Sequence, residues 1–149
     1  MNRFILDTNI CLAYVRGQSE IYQAVEQKLH LQNSDTLVII SVVTKAEIIS
    51  LGLKNNWGER RLRELEKLLN KMYIIDINES DKELLEAYAT IDSYSQGRLH
   101  GNPLGMSARN MGKNDLWIAA TALVANAQLV TTGSDFDHLC ENWITVHKF

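Results

Sequence analysis

The sequence is poor in the residues that build disulfide scaffolds, zinc sites and membrane spans: it holds two cysteines, a single proline and four histidines among 149 residues. Cys11 and Cys140 each lie among apolar neighbours and form no Cys-x-x-Cys pair, so they read as buried free thiols in a reducing compartment rather than as a disulfide or a zinc pair. His30, His100, His138 and His147 show no ligand spacing such as His-x-x-x-His. That disfavours a zinc hydrolase and leaves oxygen as the main donor to any metal. No apolar run approaches the roughly 20 residues needed to cross a bilayer, and the opening Met-Asn-Arg-Phe-Ile-Leu meets Asp7 too early for a signal-peptide core. A cytoplasmic protein is expected. A large excess of one charge is missing too: the net charge of −3 argues against coating nucleic acid through bulk electrostatics, while leaving room for local basic patches.

What is present is apolar material for one substantial core, 46% of the residues, which suits a single domain over residues 1–149. Short β-rich runs stand at Phe4 to Leu6, Leu37 to Val43, Met72 to Ile77, Gln128 to Thr131 and Trp143 to Val146, separated mostly by helix-length amphipathic stretches. That alternation predicts an α/β fold, a mostly parallel sheet flanked by helices. The clearest helix starts near Ser80, where Ser80 and Glu83 form a capping-box pattern ahead of a stripe of Leu84, Leu85, Tyr88 and Ile91.

Two stretches carry positive charge. Ser93 to Asn114 contains Gly97, Gly101, Gly105, Gly112 and Pro103 but no acid, so it reads as a loop whose charged residues are Arg98, Arg109 and Lys113. It is equally well read as a mobile solvated loop or as one that contacts phosphates. Arg60, Arg61, Arg63, Lys67 and Lys71 alternate instead with Glu59, Glu64 and Glu66, the pattern of a solvated helix face with i,i+4 pairs.

Four acids fall just after a predicted strand or at the start of the next helix. Asp7 ends Phe4-Ile5-Leu6 and precedes Thr8 and Asn9, which puts a carboxylate at the carboxyl edge of a central strand, where open parallel sheets bind ligands. The same residues also suit a cap on a helix from about Ile10 to Arg16. Glu47 has only the uncharged Val43, Thr44, Ser50 and Leu51 three and four residues away, so its compensation must come from outside the helix, from a cation or from water at the core edge. Asp115 starts the most apolar helix, Asp115 to Ala125; a helix-start role, with Asn114 as the alternative cap, explains it as well as ligation does. Asp135 follows the strand Leu129 to Thr132 across Gly133-Ser134, and Asp137 comes two residues later. On a helix starting at Ser134 or Asp135 these two would point roughly 200° apart, which leaves Asp135 as the one nearer the sheet edge. Converging carboxylates repel, and with no His or Cys among them they select Mg²⁺ or Mn²⁺, cations that keep waters for a phosphate to displace. Such a site can activate water for phosphodiester hydrolysis.

With these residues the chain resembles the PIN-domain ribonucleases, most closely the VapC-type toxins of bacterial toxin–antitoxin pairs. The matching segments are Phe4-Ile5-Leu6-Asp7-Thr8-Asn9, Ser41 to Ile48, Asn114-Asp115-Leu116-Trp117-Ile118-Ala119-Ala120-Thr121-Ala122 and Leu129 to Phe136. They run in family order over nearly the whole chain. The resemblance implies a PIN-like three-layer sandwich, with Asp7, Glu47 and Asp115 as the acidic metal site and Thr131 as a hydroxyl supporting the first aspartate, Asn9 beside it. Gly133 stands where many relatives carry an acid or Asn, so Asp135 takes the fourth position or three acids suffice. The resemblance further implies an RNA substrate, a homodimer and a small antitoxin that inserts a peptide into the acidic groove. Two other readings remain. One is a non-catalytic PIN-like module that binds RNA or antitoxin. The other is a phosphatase of the haloacid dehalogenase type, disfavoured because Asp7-Thr8-Asn9 lacks a second aspartate two residues on.

Overall fold

A computed structural model describes residues 1–17 and 19–149. Its strands are β1 (Asn2–Leu6), β2 (Thr36–Ser41), β3 (Tyr73–Ile75), β4 (Gln128–Thr131) and β5 (Val146–Lys148). Its helices are α1 (Thr8–Arg16), α2 (Glu20–Leu29), α3 (Val42–Lys54), α4 (Glu59–Asn70), α5 (Lys82–Ser95) and α6 (Lys113–Ala125). All strand pairs are parallel, in the order β3-β2-β1-β4-β5. Parallel neighbours cannot be joined by tight hairpins, so the helices serve as crossovers and cover the sheet.

The alternation of side chains along each strand divides the core. Phe4, Leu6, Ile40 and Val130 point to the face covered by Ile10 and Cys11 of α1, Val25 of α2, Ile48 of α3 and Leu65 of α4. Ile5, Ile39 and Leu129 point to the other face, against Leu84 and Ile91 of α5 and Leu116, Ile118 and Ala119 of α6. Three layers result, as the α/β expectation requires. The order of strands reverses at β1: the chain steps to β2 and β3 on one side and returns to β4 and β5 on the other. At such a switch point two crossovers leave in opposite directions and open a crevice at the carboxyl ends of the strands, here between β1 and β4.

Several boundaries differ from those expected. The second strand stops at Ser41, because the Ser41 hydroxyl accepts from Val43 N–H at 3.2 Å and caps α3, so Val42 and Val43 are helical. The third strand is only Tyr73–Ile75. The last one is Val146–Lys148, not Trp143 to Val146; Trp143 instead packs edge-on against Tyr94 at 5.3 Å. α5 is capped by Asp81, whose Oδ1 accepts from Leu84 N–H at 3.1 Å, while Ser80 turns back to Asn78 and Leu85 lies outside the buried stripe. Asn114 caps nothing, since α6 begins at Lys113 after Gly112. The expected short helix ending near Leu139 is a single 3-10 turn, Asp137–Leu139. Cys11 is buried, Cys140 half-buried, and both are free. On α4, Glu59–Arg63 and Glu64–Lys67 are exposed ion pairs of the kind that contribute little. Among the described residues no helix is long and apolar enough to cross a membrane.

Replacing Asp81 by Ala should cost about 1 kcal/mol in urea unfolding, as loss of an N-cap does, whereas Ser80→Ala should be nearly silent. Equal effects would show that the cap is shared.

Candidate active site

Asp7 is the residue on which the site is built. It follows β1 directly, and its own N–H donates to Val130 O at 3.0 Å, carrying the β1–β4 ladder one residue further. Its side chain also caps α1: Thr8 N–H donates to Oδ1 at 2.8 Å. The second oxygen, Oδ2, accepts from the Thr131 hydroxyl at 2.8 Å, and Thr131 Oγ1 in turn accepts from Gly133 N–H at 3.2 Å. Both carboxylate oxygens are thus held, one from each side of the crevice, and a fully buried Thr131 transmits the position of the 133–137 turn to Asp7. The capping and site readings of Asp7 are therefore compatible. Asn9 is exposed and donates to Thr132 Oγ1 at 3.3 Å, tying the same two strand ends together without touching Asp7.

Asp115 sits in the first turn of α6, half-buried, and its carboxyl is pushed from the usual 3.8 up to about 7. Burial is the largest cause. The charges of Asp7, Asp135 and Glu47 follow. The charges of Asp7, Glu47 and Asp135 thus all act on Asp115, and among the described residues none of the four is in an ion pair. Asp137 is turned away: its Oδ2 accepts from Lys148 Nζ at 3.1 Å, and the same ammonium donates to Ser134 Oγ at 2.8 Å. The 3-10 turn and the β5 lysine, rather than an α-helical rotation, separate the two aspartates.

Gly133 serves the turn through its backbone. Its φ is not positive, so the turn does not depend on glycine's freedom; a Cβ there would meet only Thr131 Oγ1, at 4.0 Å. Its contribution is the N–H that orients Thr131.

Among the described residues no group of three or more His, Cys, Asp or Glu side chains already stands close enough together to hold a metal ion. Carboxylates that face one another repel, which favours an open cluster. In donor type and charge the set nonetheless fits a hard divalent cation: every candidate ligand is an oxygen, and the like charges that add to burial in raising Asp115 are of the kind a cation offsets. Mg²⁺ is usually held directly by one or two carboxylates and otherwise through water, so an open set of acids suits it. The concavities lined by Leu6, Tyr14, Leu31, Val38 and Met72 (about 310 Å³) and by Tyr14, Arg16, Arg60 and Arg61 (about 640 Å³) contain none of the four acids.

Arg98, Arg109 and Lys113 are exposed, the first two on the 96–112 loop and Lys113 at the first position of α6. A Cβ on Gly112 would lie 3.9 Å from Asp115 Oδ2, so the loop ends against the acids. Two further residues beside the site, Ser95 and His138, are not singled out by the sequence pattern: both are buried, with Ser95 Oγ 2.7 Å from His138 Nε2. A histidine set between the apolar Phe136 and Leu139 is the signal that a search for paired metal ligands passes over.

Comparison with known proteins agrees with this geometry. The PIN domain family model matches residues 4–142. Ribonuclease VapC1 of Haemophilus influenzae is 31% identical over 132 residues, covering 86% of this chain and 84% of that protein. Ribonuclease VapC2 of Rickettsia felis is 27% identical over 145 residues, covering 94% and 97%. In fold, the chain superimposes with a TM-score of 0.71 and 24% identity on a chain of the Rickettsia felis VapBC2 crystal structure bound to a promoter DNA fragment, over 99% of this chain and 98% of that one. A parallel sheet with its strand order reversing at β1, an aspartate clamped there from both sides, and these matches together show that the chain belongs to the PIN-domain family, in its branch of VapC-type ribonucleases.

Proposed function

We propose that this protein is a Mg²⁺- or Mn²⁺-dependent endoribonuclease that hydrolyses RNA phosphodiester bonds and acts as the toxin of a toxin–antitoxin pair. The observation that supports the reading is Asp7 held by both oxygens at the switch point of the sheet, with its charge and those of Asp135 and Glu47 acting on Asp115. Asp7, with both oxygens oriented, is the fixed ligand, and Glu47, Asp115 and Asp135 supply the remaining carboxylate oxygens. When bound, a divalent cation lowers the pKa of water and offsets phosphate charge. The protein's own residues do the rest: Thr131 and Thr8 hold Asp7 in one rotamer, α6 brings Asp115 to the edge from within the core, and the exposed cations of the 96–112 loop and Lys113 offer phosphate contacts beside the acids. An antitoxin peptide with a basic residue would satisfy the same carboxylates. The exposed apolar residues Ile49 and Leu53 of α3 and Leu62 of α4 favour a protein contact on that face, and we assign the homodimer to it.

Purified protein freed of antitoxin should cut RNA in Mg²⁺ or Mn²⁺ and stop in EDTA. Cleavage that survives chelation would remove the metal mechanism, and binding of a broad RNA panel without cutting would favour a sequestering module. Asp115→Asn should lower cleavage by about 100-fold or more, the scale on which one electrostatic stabiliser acts. Without metal its effect on stability has the opposite sign. An acid whose folded pKa lies above its unfolded value favours folding below about 3.8, and that contribution is lost as pH rises through about 7. In EDTA the variant should therefore melt several degrees above the parent at about pH 8, with the gap closing towards about pH 5. An active variant, or a gap that widens on acidification, would defeat the assignment.

Asp135→Asn should weaken Mn²⁺ binding measured by calorimetry, whereas Asp137→Asn should change only an exposed ion pair with Lys148, worth at most about 1 kcal/mol. The reverse result would mean that the turn presents the other aspartate, and two silent variants that three acids suffice.

Removing Arg98, Arg109 or Lys113 singly should flatten the salt dependence of RNA binding by about one unit of charge each, without changing which sequence is cut. Unchanged slopes would return the loop to a purely solvated role.

A further inference from the structure

The Ser95–His138 pair lies outside the acid cluster and is not accounted for by it. Ser95 closes α5 and is fully buried; His138 lies in the 3-10 turn that follows Asp135 and is 4% exposed. Their side chains meet at 2.7 Å, and Ser95 Oγ also lies 3.3 Å from Met111 Sδ, at the far end of the loop. The Ser95 carbonyl accepts from Arg109 N–H at 2.6 Å. One residue therefore holds both ends of the loop, and His138 holds that residue.

The imidazole is a costly choice for this place. A neutral ring has one donor and one acceptor nitrogen. With Nε2 engaged by Ser95, Nδ1 is buried with no partner among the described residues. Burial, reinforced by Arg109 and opposed by Asp137 and Asp135, holds the ring below the usual histidine pKa. Tyr94 stacks parallel to it, with ring centroids 6.4 Å apart. An apolar ring of the same size would pack there without an orphan nitrogen, so the polar link to Ser95 is what the histidine adds. The turn itself has a second tie, Lys148 to Ser134 and Asp137, and does not need this one; the loop does.

We infer that Ser95 and His138 are positioning residues for RNA binding: through one buried hydrogen bond they anchor the 96–112 loop to the acid-bearing turn and so keep Arg98 and Arg109 where phosphates pass. The inference rests on the reading of that loop as an RNA contact.

The test uses hydrogen exchange on the full-length protein, together with binding of a single-stranded RNA oligonucleotide in EDTA. His138→Phe removes the orphan nitrogen but leaves the buried Ser95 hydroxyl with only Met111 Sδ, so the melting temperature should change little, while exchange of the 96–112 amides should speed up severalfold and RNA binding weaken about fivefold. Exchange in the 133–139 turn should stay unchanged, and so should cleavage at saturating RNA in Mg²⁺. Ser95→Ala should do the same to the loop if the aromatic replacement fails to fold, and His138→Gln, which can present an amide to Ser95, should restore much of the loss. Unaltered loop exchange in both His138→Phe and Ser95→Ala would overturn the inference. So would a loosened loop that binds RNA as tightly as before while the Arg98, Arg109 and Lys113 charge variants still flatten the salt slope. Should those charge variants be silent too, it is the RNA reading of the loop that has failed, whatever exchange shows.

Discussion

Repulsion between carboxylates is the constraint around which this molecule is arranged. Four acids at one edge of a small sheet destabilise the chain that carries them: burial first, and the charges of Asp7, Asp135 and Glu47 after it, push the Asp115 carboxyl up to about 7. Such a cluster persists only if the scaffold cannot relax it. Here the scaffold acts from three directions. Asp7 extends a central ladder, Glu47 lies on a helix anchored through Ile48 in one core, and Asp115 lies in the first turn of a helix buried in the other. Relieving the repulsion by moving any of the three would open a hydrophobic layer.

The same geometry explains why fold and site are unequally legible in the sequence. Parallel strands buried on both faces are short continuous apolar runs, and Phe4 to Leu6 and Gln128 to Thr131 read cleanly because each is bounded by polar residues. Val42 and Val43 mislead because β-branched residues carry the same local signal at the end of a strand and in the first turn of a helix; only the Ser41 hydroxyl decides between them. Trp143 misleads because an aromatic can belong to a core without belonging to a strand. At the C-terminal edge, pairing of Val146 with Leu129 fixes the strand, a long-range choice that no local pattern encodes.

The acids are visible one by one as residues following strands, but each has a sufficient local explanation, and only the topology brings them together. The position of Asp137 has a cause that the local pattern does not show. Helical rotation is the local expectation, whereas the structure uses an ion pair from the neighbouring strand: Lys148 of β5, 11 residues further on, holds Asp137 outward. The buried His138 shows in the sequence only as an unpaired metal-ligand type, because a hydrogen bond to a serine 43 residues away has no local signature.

The helix that delivers Asp115 has little solvent face. Ala119, Ala120 and Ala122 put no long side chain between its axis and its neighbours, and Leu116 and Ile118 are buried with them. Close packing of this kind makes α6 a stiff rod whose tip is the carboxylate. A bulkier residue at one of those alanines would displace the rod as a whole, so a change deep in the core, about one to two turns from Asp115, would be felt at the spacing of the acids. Inheritance of activity in such a protein depends on the volume of its alanines as much as on the presence of its aspartates.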